Sequence, residues 1–251
     1  MSSDPGSRIP DPGPGVKVLS AEFVTSAAAG GRADGIPADG LAQVAFAGRS
    51  NVGKSTLLNA LARQIVARTS AAPGKTRLAN IYRLNAEGGA GGPGRWSVYF
   101  VDLPGYGYAR GGSDAAAELA GVAAAYFHPR SGIRDPGSDR GEERAPKTDP
   151  RSRITDPGRE LAKRATLHLI DSRHPGLESD LQAGRWFDSV GVDRHIVATK
   201  IDKLTRAERD RNLRELGRIF ERAPVPVSAS SGEGLEELWK LIARVARDQH
   251  R

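Results

Sequence analysis

The chain has 251 residues, enough for one or two domains. It contains no cysteine, which excludes a disulfide framework, a thiolate metal site and a cysteine nucleophile. Lysine and arginine exceed aspartate and glutamate by seven, and residues 41–95 carry eight bases against the single acid Glu87. A basic surface attracts polyanions, so nucleic acid or a ribonucleoprotein is one expected partner. The alternative is that a nucleotide-phosphate loop accounts for the local positive charge.

Two stretches rich in proline, glycine and charged residues predict local disorder. Residues 1–18 form a tail without periodicity, and residues 128–158 form an insertion within a domain, since strand and helix signals continue on both sides. The longest uncharged apolar stretch, 119–127, is about half the ~20 residues that a membrane span needs. The first residues also lack the apolar core of a secretory signal. We therefore expect a soluble, cytoplasmic protein without membrane partners, folded over residues 19–251.

Short apolar runs alternate with helix-length segments along the rest of the chain. Such an alternation predicts βαβ crossovers and an α/β fold with a mainly parallel six-stranded sheet and helices on both faces. The strands at 80–85 and 96–101 are joined by a turn-rich segment without a helix, so we expect an antiparallel hairpin at one edge. The predicted strands are Leu41–Ala47, Asn80–Asn85, Trp96–Val101, Ala165–Ile170, Arg194–Thr199 and Pro224–Val227, and the predicted helices are Lys54–Arg63, Ala115–Phe127, Leu177–Ser189, Arg206–Arg222 and Gly234–Arg247.

The first motif, G-R-S-N-V-G-K-S, matches the phosphate-binding pattern G-x-x-x-x-G-K-[ST] between a predicted strand and a predicted helix. Its glycines allow backbone amides to turn toward phosphates, and the helix N-terminus favours an anion. We expect the lysine to reach the β- and γ-phosphates and the serine hydroxyl to bind Mg²⁺. The residues of this loop are Gly48, Arg49, Ser50, Asn51, Val52, Gly53, Lys54 and Ser55.

Three further motifs each follow a predicted strand. In the second, Asp102 can hold magnesium through water, and the Gly105 amide can approach a γ-phosphate. In the third, Asp202 can accept from the N1–H and N2–H₂ groups of guanine; adenine lacks these donors, so a kinase or ATPase is disfavoured. The Lys200 stem can lie over the base, and an amide of the fourth motif can meet the guanine O6. The motifs comprise Asp102, Leu103, Pro104 and Gly105; Thr199, Lys200, Ile201 and Asp202; and Val227, Ser228, Ala229 and Ser230.

Because ligands of open α/β sheets bind at the carboxyl ends of the strands, these four motifs together predict a guanine-nucleotide pocket. At this point the chain resembles the EngB (YihA/YsxC) family of the TrmE–Era–EngA–EngB-type GTPases. The resemblance rests on AFAGRSNVGKSTLLNAL (45–61), RTSAAPGKTRLANIY (68–82), FVDLPGYGYA (100–109), IDSRHP (170–175) and VATKIDKL (197–204). The segment 19–27 also looks like the family's lead-in to the first strand.

The resemblance implies a Ras-like GTPase domain that binds GTP or GDP with Mg²⁺. It further implies association with the large ribosomal subunit or its precursor, through rRNA and ribosomal proteins, and a requirement for septation and cell division. We expect a monomer. The first switch would comprise Gly74, Lys75, Thr76, Arg77 and Leu78, where Arg77 stands in place of the family's frequent Gln. Ser55 and Thr76 would be the direct magnesium ligands.

The expected catalytic residues are Lys54, Asn51 and Thr76. Tyr106 stands where Ras-like enzymes have the Gln that orients water, so we predict slow hydrolysis; a nucleotide-gated scaffold with negligible hydrolysis is the alternative. Asn51 is hypothesised to coordinate K⁺, the alternative being that it only stabilises the turn. We interpret His168 as a packing residue and Asp171 as part of a strand-ending turn.

Overall fold

The computed structural model describes residues 15–28, 36, 37, 39–67, 78–89, 93–107, 123, 126, 127 and 164–247. Three predicted features lie wholly or mostly outside these residues: the first-switch residues Gly74–Arg77, the helix at 115–127 and the insertion at 128–158. Residues 1–14 of the expected tail also lie outside them. Within the described ranges, no helix is long and apolar enough to cross a membrane.

The described part of the chain contains seven strands, four helices and one 3-10 turn at Ile201–Lys203. Each predicted strand, and each predicted helix within the described ranges, is confirmed with bounds that differ by a few residues. The strands are β1 Val16–Ala28, β2 Gln43–Gly48, β3 Leu78–Gly88, β4 Arg95–Asp102, β5 Arg164–Asp171, β6 Asp193–Thr199 and β7 Val225–Pro226, and the helices are α1 Lys54–Ala62, α2 Glu178–Ser189, α3 Arg206–Phe220 and α4 Leu235–Arg247.

The seven strands form one mixed sheet in the order β1-β3-β4-β2-β5-β6-β7. Strands β4, β2, β5, β6 and β7 pair in parallel. Strand β3 is antiparallel to β4, as expected for the hairpin, and it is also antiparallel to β1. The α/β class is therefore confirmed, while the predicted strand number was wrong: the sheet has seven strands, and the hairpin is not its edge.

The missed strand, β1, begins at Val16, so the folded region starts before the predicted boundary at residue 19. Its pairing with β3 contains register shifts between Val18 and Ser20 and between Phe23 and Thr25. Such bulges break the period of two by which a half-buried strand is found in a sequence. The strand also carries exposed apolar side chains, as Phe23 is 58% exposed. The sequence of β1 therefore shows neither the alternation of apolar and polar residues nor the continuous apolar run by which a strand is predicted.

The core consists of apolar layers on both faces of the central strands. The β2 residues Gln43–Gly48 are all buried, as is typical of a parallel strand covered on both sides. On one face, Phe46 packs against Phe100, with ring centroids 4.9 Å apart, and Phe100 packs against Trp239 of α4. On the other face, Phe187 of α2 belongs to a second apolar cluster. This packing fixes the carboxyl ends of β2, β4, β5 and β6 along one edge of the sheet.

Candidate nucleotide-binding site

The phosphate loop connects the end of β2 to the start of α1. Gly53 has φ +100° and Asn51 has φ +65°, so the loop turns through the left-handed region twice before the helix begins at Lys54. The residue before the helix supplies no side-chain cap, and the first turn contains no acidic residue. The amides at this helix N-terminus are therefore not neutralised by the chain's own capping groups, which suits a bound phosphate.

The lysine of the loop lies against the second motif. Lys54 Nζ is 3.0 Å from Asp102 Oδ1, and both side chains are largely buried. Asp102 ends β4 directly beside Phe46 of the parallel strand β2, which explains how two residues 48 positions apart in the sequence meet. Sequence reasoning placed both residues at one edge of the sheet, and the geometry confirms that placement.

Magnesium fits the oxygen donors that the structure describes here. Asp102 Oδ1 is buried and has no hydrogen-bond partner among the described residues, although it forms the ion pair with Lys54. The Ser55 hydroxyl lies in the first turn of α1, one residue after Lys54. Hydroxyl and carboxylate oxygens are the donors that Mg²⁺ prefers. Thr76, the other expected ligand, lies outside the described residues.

The third motif is bonded directly to the phosphate loop. Lys200 Nζ donates to the Asn51 carbonyl oxygen at 2.6 Å. The Thr199 hydroxyl donates to the Val52 carbonyl oxygen at 2.8 Å. Lys200 has φ +59°, a conformation that turns the chain sharply after β6 and into the 3-10 turn that contains Asp202. These contacts join the expected base-selecting segment and the expected phosphate-binding segment in one site.

The carboxyl group of Asp202 is held in its ionised form. Burial would raise its pKa, but hydrogen bonds from Ser228 and Lys203 outweigh burial and keep the pKa below its ordinary value. Ser228 belongs to the fourth motif, whose Val227 amide donates to Ala198 of β6 at 2.8 Å. An ionised carboxylate accepts hydrogen bonds only, as recognition of the guanine N1–H and N2–H₂ requires.

Asp171 is a site residue that sequence reasoning underestimated. It accepts a hydrogen bond from Lys200 Nζ at 3.0 Å and two from the Arg173 guanidinium, at 2.9 and 2.7 Å. Burial raises its pKa, but these bonds and one from the Arg173 amide outweigh burial and bring the pKa to about 2. Asp171 therefore holds Lys200 in place, in addition to ending a turn. Its position at the end of β5, paired with Thr199 of β6, was the available signal.

Tyr106 and His168 lie on the side of the loop away from these contacts. The Tyr106 ring is buried, and its hydroxyl contacts His168 Nε2 at 2.7 Å and Asp180 Oδ1 at 3.0 Å. Burial and Arg194 lower the pKa of His168 to about 3, so its imidazole is neutral. The interpretation of His168 as a packing residue is confirmed, with a polar partner added.

The structure brings the described parts of all four motifs to the carboxyl edge of the sheet. The residues in this group are Gly48–Ser55, Asp102–Gly105, Thr199–Asp202 and Val227–Ser230. Of the expected first switch, only Leu78 is described, at the beginning of β3; Gly74, Lys75, Thr76 and Arg77 are outside the described residues. The sheet carries a phosphate loop, an aspartate at the end of the adjoining strand and a segment in which Asp202 can select the base. This combination defines a Ras-like P-loop GTPase domain.

Comparison with known proteins narrows this class. A family model described as "50S ribosome-binding GTPase" matches residues 43–134. A probable GTP-binding protein EngB of Solibacter usitatus is 36% identical over 225 residues, covering 89% of this chain and 95% of that protein. Another, of Pelotomaculum thermopropionicum, is 38% identical over 234 residues, covering 91% and 96%. The chain belongs to the EngB family of GTP-binding proteins.

A solved structure described as a probable GTP-binding protein engB matches with a TM-score of 0.48 and 20% identity, over 82% of this chain and 100% of that one. The family membership rests on the sequence relatives, whose identity and coverage are much higher.

Proposed function

We propose that this protein hydrolyses GTP slowly, with magnesium, and acts as a nucleotide-controlled switch in assembly of the large ribosomal subunit. The observation that carries the GTP site is the position of Lys200, which bonds to Asn51 of the phosphate loop and to Asp171 while Asp202 stands two residues further on. The Lys200 ammonium thereby connects the segment expected to bind the phosphates with the segment expected to bind the base. Adenine would offer the Asp202 carboxylate none of the N–H donors that guanine supplies.

The residues supply binding and electrostatic stabilisation. Amides of the loop and of the α1 N-terminus, with the Lys54 ammonium, would hold the β- and γ-phosphates. Ser55 and Thr76 would hold Mg²⁺ directly and Asp102 would hold it through water; the bound ion would neutralise developing phosphate charge. A water oxygen attacks the γ-phosphorus, the bond to the β–γ bridging oxygen breaks, and GDP, phosphate and a proton leave. Tyr106 is bonded to His168 and Asp180, which supports slow turnover because its hydroxyl is not free to orient that water.

A ribosomal partner is supported by charge and by family. Residues 41–95 have an excess of seven positive charges, and the matching family model is described as a ribosome-binding GTPase. By family resemblance we extend the proposal to a cytoplasmic monomer that is needed for normal septation. Sedimentation with purified ribosomal subunits under GTP, GDP and no nucleotide tests the switch. We expect retention on the large subunit to be strongest with GTP, and equal retention in all three conditions would refute the proposal.

The alternative is a nucleotide-gated scaffold with negligible hydrolysis, and the buried hydroxyl of Tyr106 favours it. Single-turnover release of phosphate from a stoichiometric GTP complex separates the two. Release within minutes to hours supports the GTPase, whereas intact GTP after a day supports the scaffold.

A potassium requirement is a separate part of the proposal. Asn51 is exposed and has φ +65°, so its side chain is placed at the outer turn of the phosphate loop. An amide oxygen there can coordinate a monovalent cation that neutralises phosphate charge. Turnover in potassium chloride should exceed turnover in sodium chloride, and Asn51→Ala should abolish the difference. Equal turnover rates of the unmodified protein in both salts would refute the potassium requirement.

A further inference from the structure

A row of polar side chains, all buried except the partly exposed Arg49, lies behind the phosphate loop, outside the nucleotide contacts described above. The Tyr106 hydroxyl is 2.7 Å from His168 Nε2 and 3.0 Å from Asp180 Oδ1. Arg194 Nη1 is 3.4 Å from His168 Nδ1, and Arg49 Nε is 3.5 Å from Asp180 Oδ2. Strands β5 and β6, helix α2, the segment after β4 and the phosphate loop each contribute one of these five residues.

The proton positions in this row follow from its chemistry. A guanidinium only donates, so His168 Nδ1 must accept from Arg194. The proton of the neutral imidazole is then on Nε2, which donates to the Tyr106 oxygen. The Tyr106 hydroxyl is left to donate to Asp180 Oδ1. The hydrogen bonds therefore run in one direction, from Arg194 to Asp180, and the row ends on a carboxylate that must accept.

That carboxylate also faces the phosphate loop. Asp180 is fully buried, and its second oxygen has no hydrogen bond within the described residues. The nearest cation to this oxygen is Arg49, at ion-pair distance. Burial raises the pKa of Asp180 to about 6 although Arg49 and Tyr106 lower it, so the group is mostly ionised at pH 7. One carboxylate thus binds Tyr106 through one oxygen and attracts Arg49 with the other.

The two residues that Asp180 holds belong to neighbouring segments of the nucleotide site. The Ser50 amide donates to the Tyr106 carbonyl oxygen at 3.2 Å, and the Tyr106 amide donates to the Gly48 carbonyl oxygen at 3.4 Å. Gly105 lies so close to the loop that a Cβ atom there would be 3.0 Å from the Ser50 amide nitrogen. Any outward movement of Tyr106 would therefore carry Gly105 away from the loop.

We propose that Asp180 is a positioning residue for recognition of the γ-phosphate. By holding Tyr106 beside Arg49, it keeps the Gly105 amide next to the phosphate loop, where that amide can meet a nucleoside triphosphate but no group of a diphosphate. The proposal rests on the proposed GTP site and deepens it, because it makes Asp180 a determinant of the affinity for GTP relative to GDP.

Two conservative variants test the role of Asp180 without creating a large cavity in the core. Tyr106→Phe removes only the hydroxyl, and Asp180→Asn keeps the shape and removes the charge. Dissociation constants are measured by fluorescence with mant-labelled GDP and a mant-labelled non-hydrolysable GTP analogue, in the presence of Mg²⁺. Each variant should weaken binding of the GTP analogue about tenfold, the effect of one lost charge-assisted hydrogen bond, and leave GDP binding within about twofold. The double variant should lose no more than either single variant, since both act through one bond.

The matched control is Glu178→Gln, on the same helix, which breaks only an exposed ion pair with Arg185. It should leave both dissociation constants unchanged. Two results would overturn the proposal: an unchanged ratio of the GTP and GDP affinities, which includes equal weakening of both, or additive losses in the double variant. Failure of the unmodified protein to bind either nucleotide would instead contradict the proposed function.

A pH series keeps the proposal testable if Asp180→Asn does not fold. The groups that face Asp180 are Tyr106, Arg49 and, across the row, His168 and Arg194; Asp171 adds a like charge. The pKa of Asp180 is about 6 and that of His168 is about 3, so protonation of Asp180 should lower the affinity for GTP relative to GDP between pH 7 and pH 5. The γ-phosphate itself titrates in this range. Tyr106→Phe, which lacks the bond, is therefore the reference, and an identical pH profile in this variant overturns the proposal.

Discussion

Replacement of Asp171 by asparagine should weaken binding of GTP and GDP together. The carboxylate accepts from Lys200 and Arg173, and its pKa of about 2 against an ordinary value of 3.8 corresponds to at most about 2.5 kcal/mol. Arg173 is 40% exposed, so solvent screening reduces the contribution to about 1–2 kcal/mol. Lys200 then loses its ion pair with residue 171 and keeps its bond to Asn51, so the base-binding segment is held less firmly against the phosphate loop. We expect affinity for both nucleotides to fall about tenfold.

Fluorescence titration with mant-GDP and a mant-labelled GTP analogue measures this effect, and urea unfolding at pH 7 measures the loss of stability. A group with a lowered pKa contributes stability above its unfolded value, near pH 4, and loses it as the pH falls toward 2. The unmodified protein and Asp171→Asn should therefore converge in stability as the pH approaches 2. Glu178→Gln, which breaks an exposed ion pair, is the control. Normal nucleotide affinity in Asp171→Asn would refute the assigned contact with Lys200.

The other predictions concern base selection, pH and helix capping. Asp202→Asn should shift preference from guanosine to xanthosine nucleotides, because an amide donates where the carboxylate accepts; unchanged GDP affinity in competition assays contradicts the assignment. The raised pKa of Asp180, about 6, contributes stability that is complete below about pH 4 and is lost as the pH rises through 6, so Asp180→Asn should flatten the dependence of unfolding free energy on pH over that range. Thr205→Ala removes the capping box that Thr205 forms with Glu208 at the start of α3. It should lower the unfolding free energy in urea by about 1 kcal/mol without changing nucleotide affinity, and a nucleotide effect would count against a purely structural cap.

Much of the fold could be predicted because its central strands are buried on both faces. Continuous apolar runs such as Val44–Ala47 can be recognised without knowing their neighbours, and the segments between them have helical length. Strand β1 was not predicted from the sequence. Its register shifts near Ser20 and Thr25 and the apolar residues on its exposed face interrupt the alternation of apolar and polar residues. Its strand character comes from pairing with β3, whose paired residues are fifty or more positions away in the sequence.

The candidate site also has a part that the sequence predicted and a part that it did not. Each of the motifs Gly48–Ser55 and Thr199–Asp202 is a continuous stretch of sequence. The carboxyl ends of parallel strands lie at one edge of a sheet, and this rule was sufficient to predict that the two motifs are close together. The bond between Lys200 and Asn51 agrees with that expectation. The role of Asp171 was underestimated because one aspartate at a strand end is compatible with an ordinary turn.

The sequence by itself determined the α/β class, the phosphate loop and the selection of guanine, since each depends on residues that are close together in the chain or at strand ends. Only the tertiary structure decided that Tyr106 turns inward to His168 and Asp180, and that Asp180 faces Arg49. A residue's place in the chain does not specify which of its faces is covered. That depends on how α2 packs over the sheet, and the packing puts a carboxylate beside a loop 131 positions earlier in the sequence.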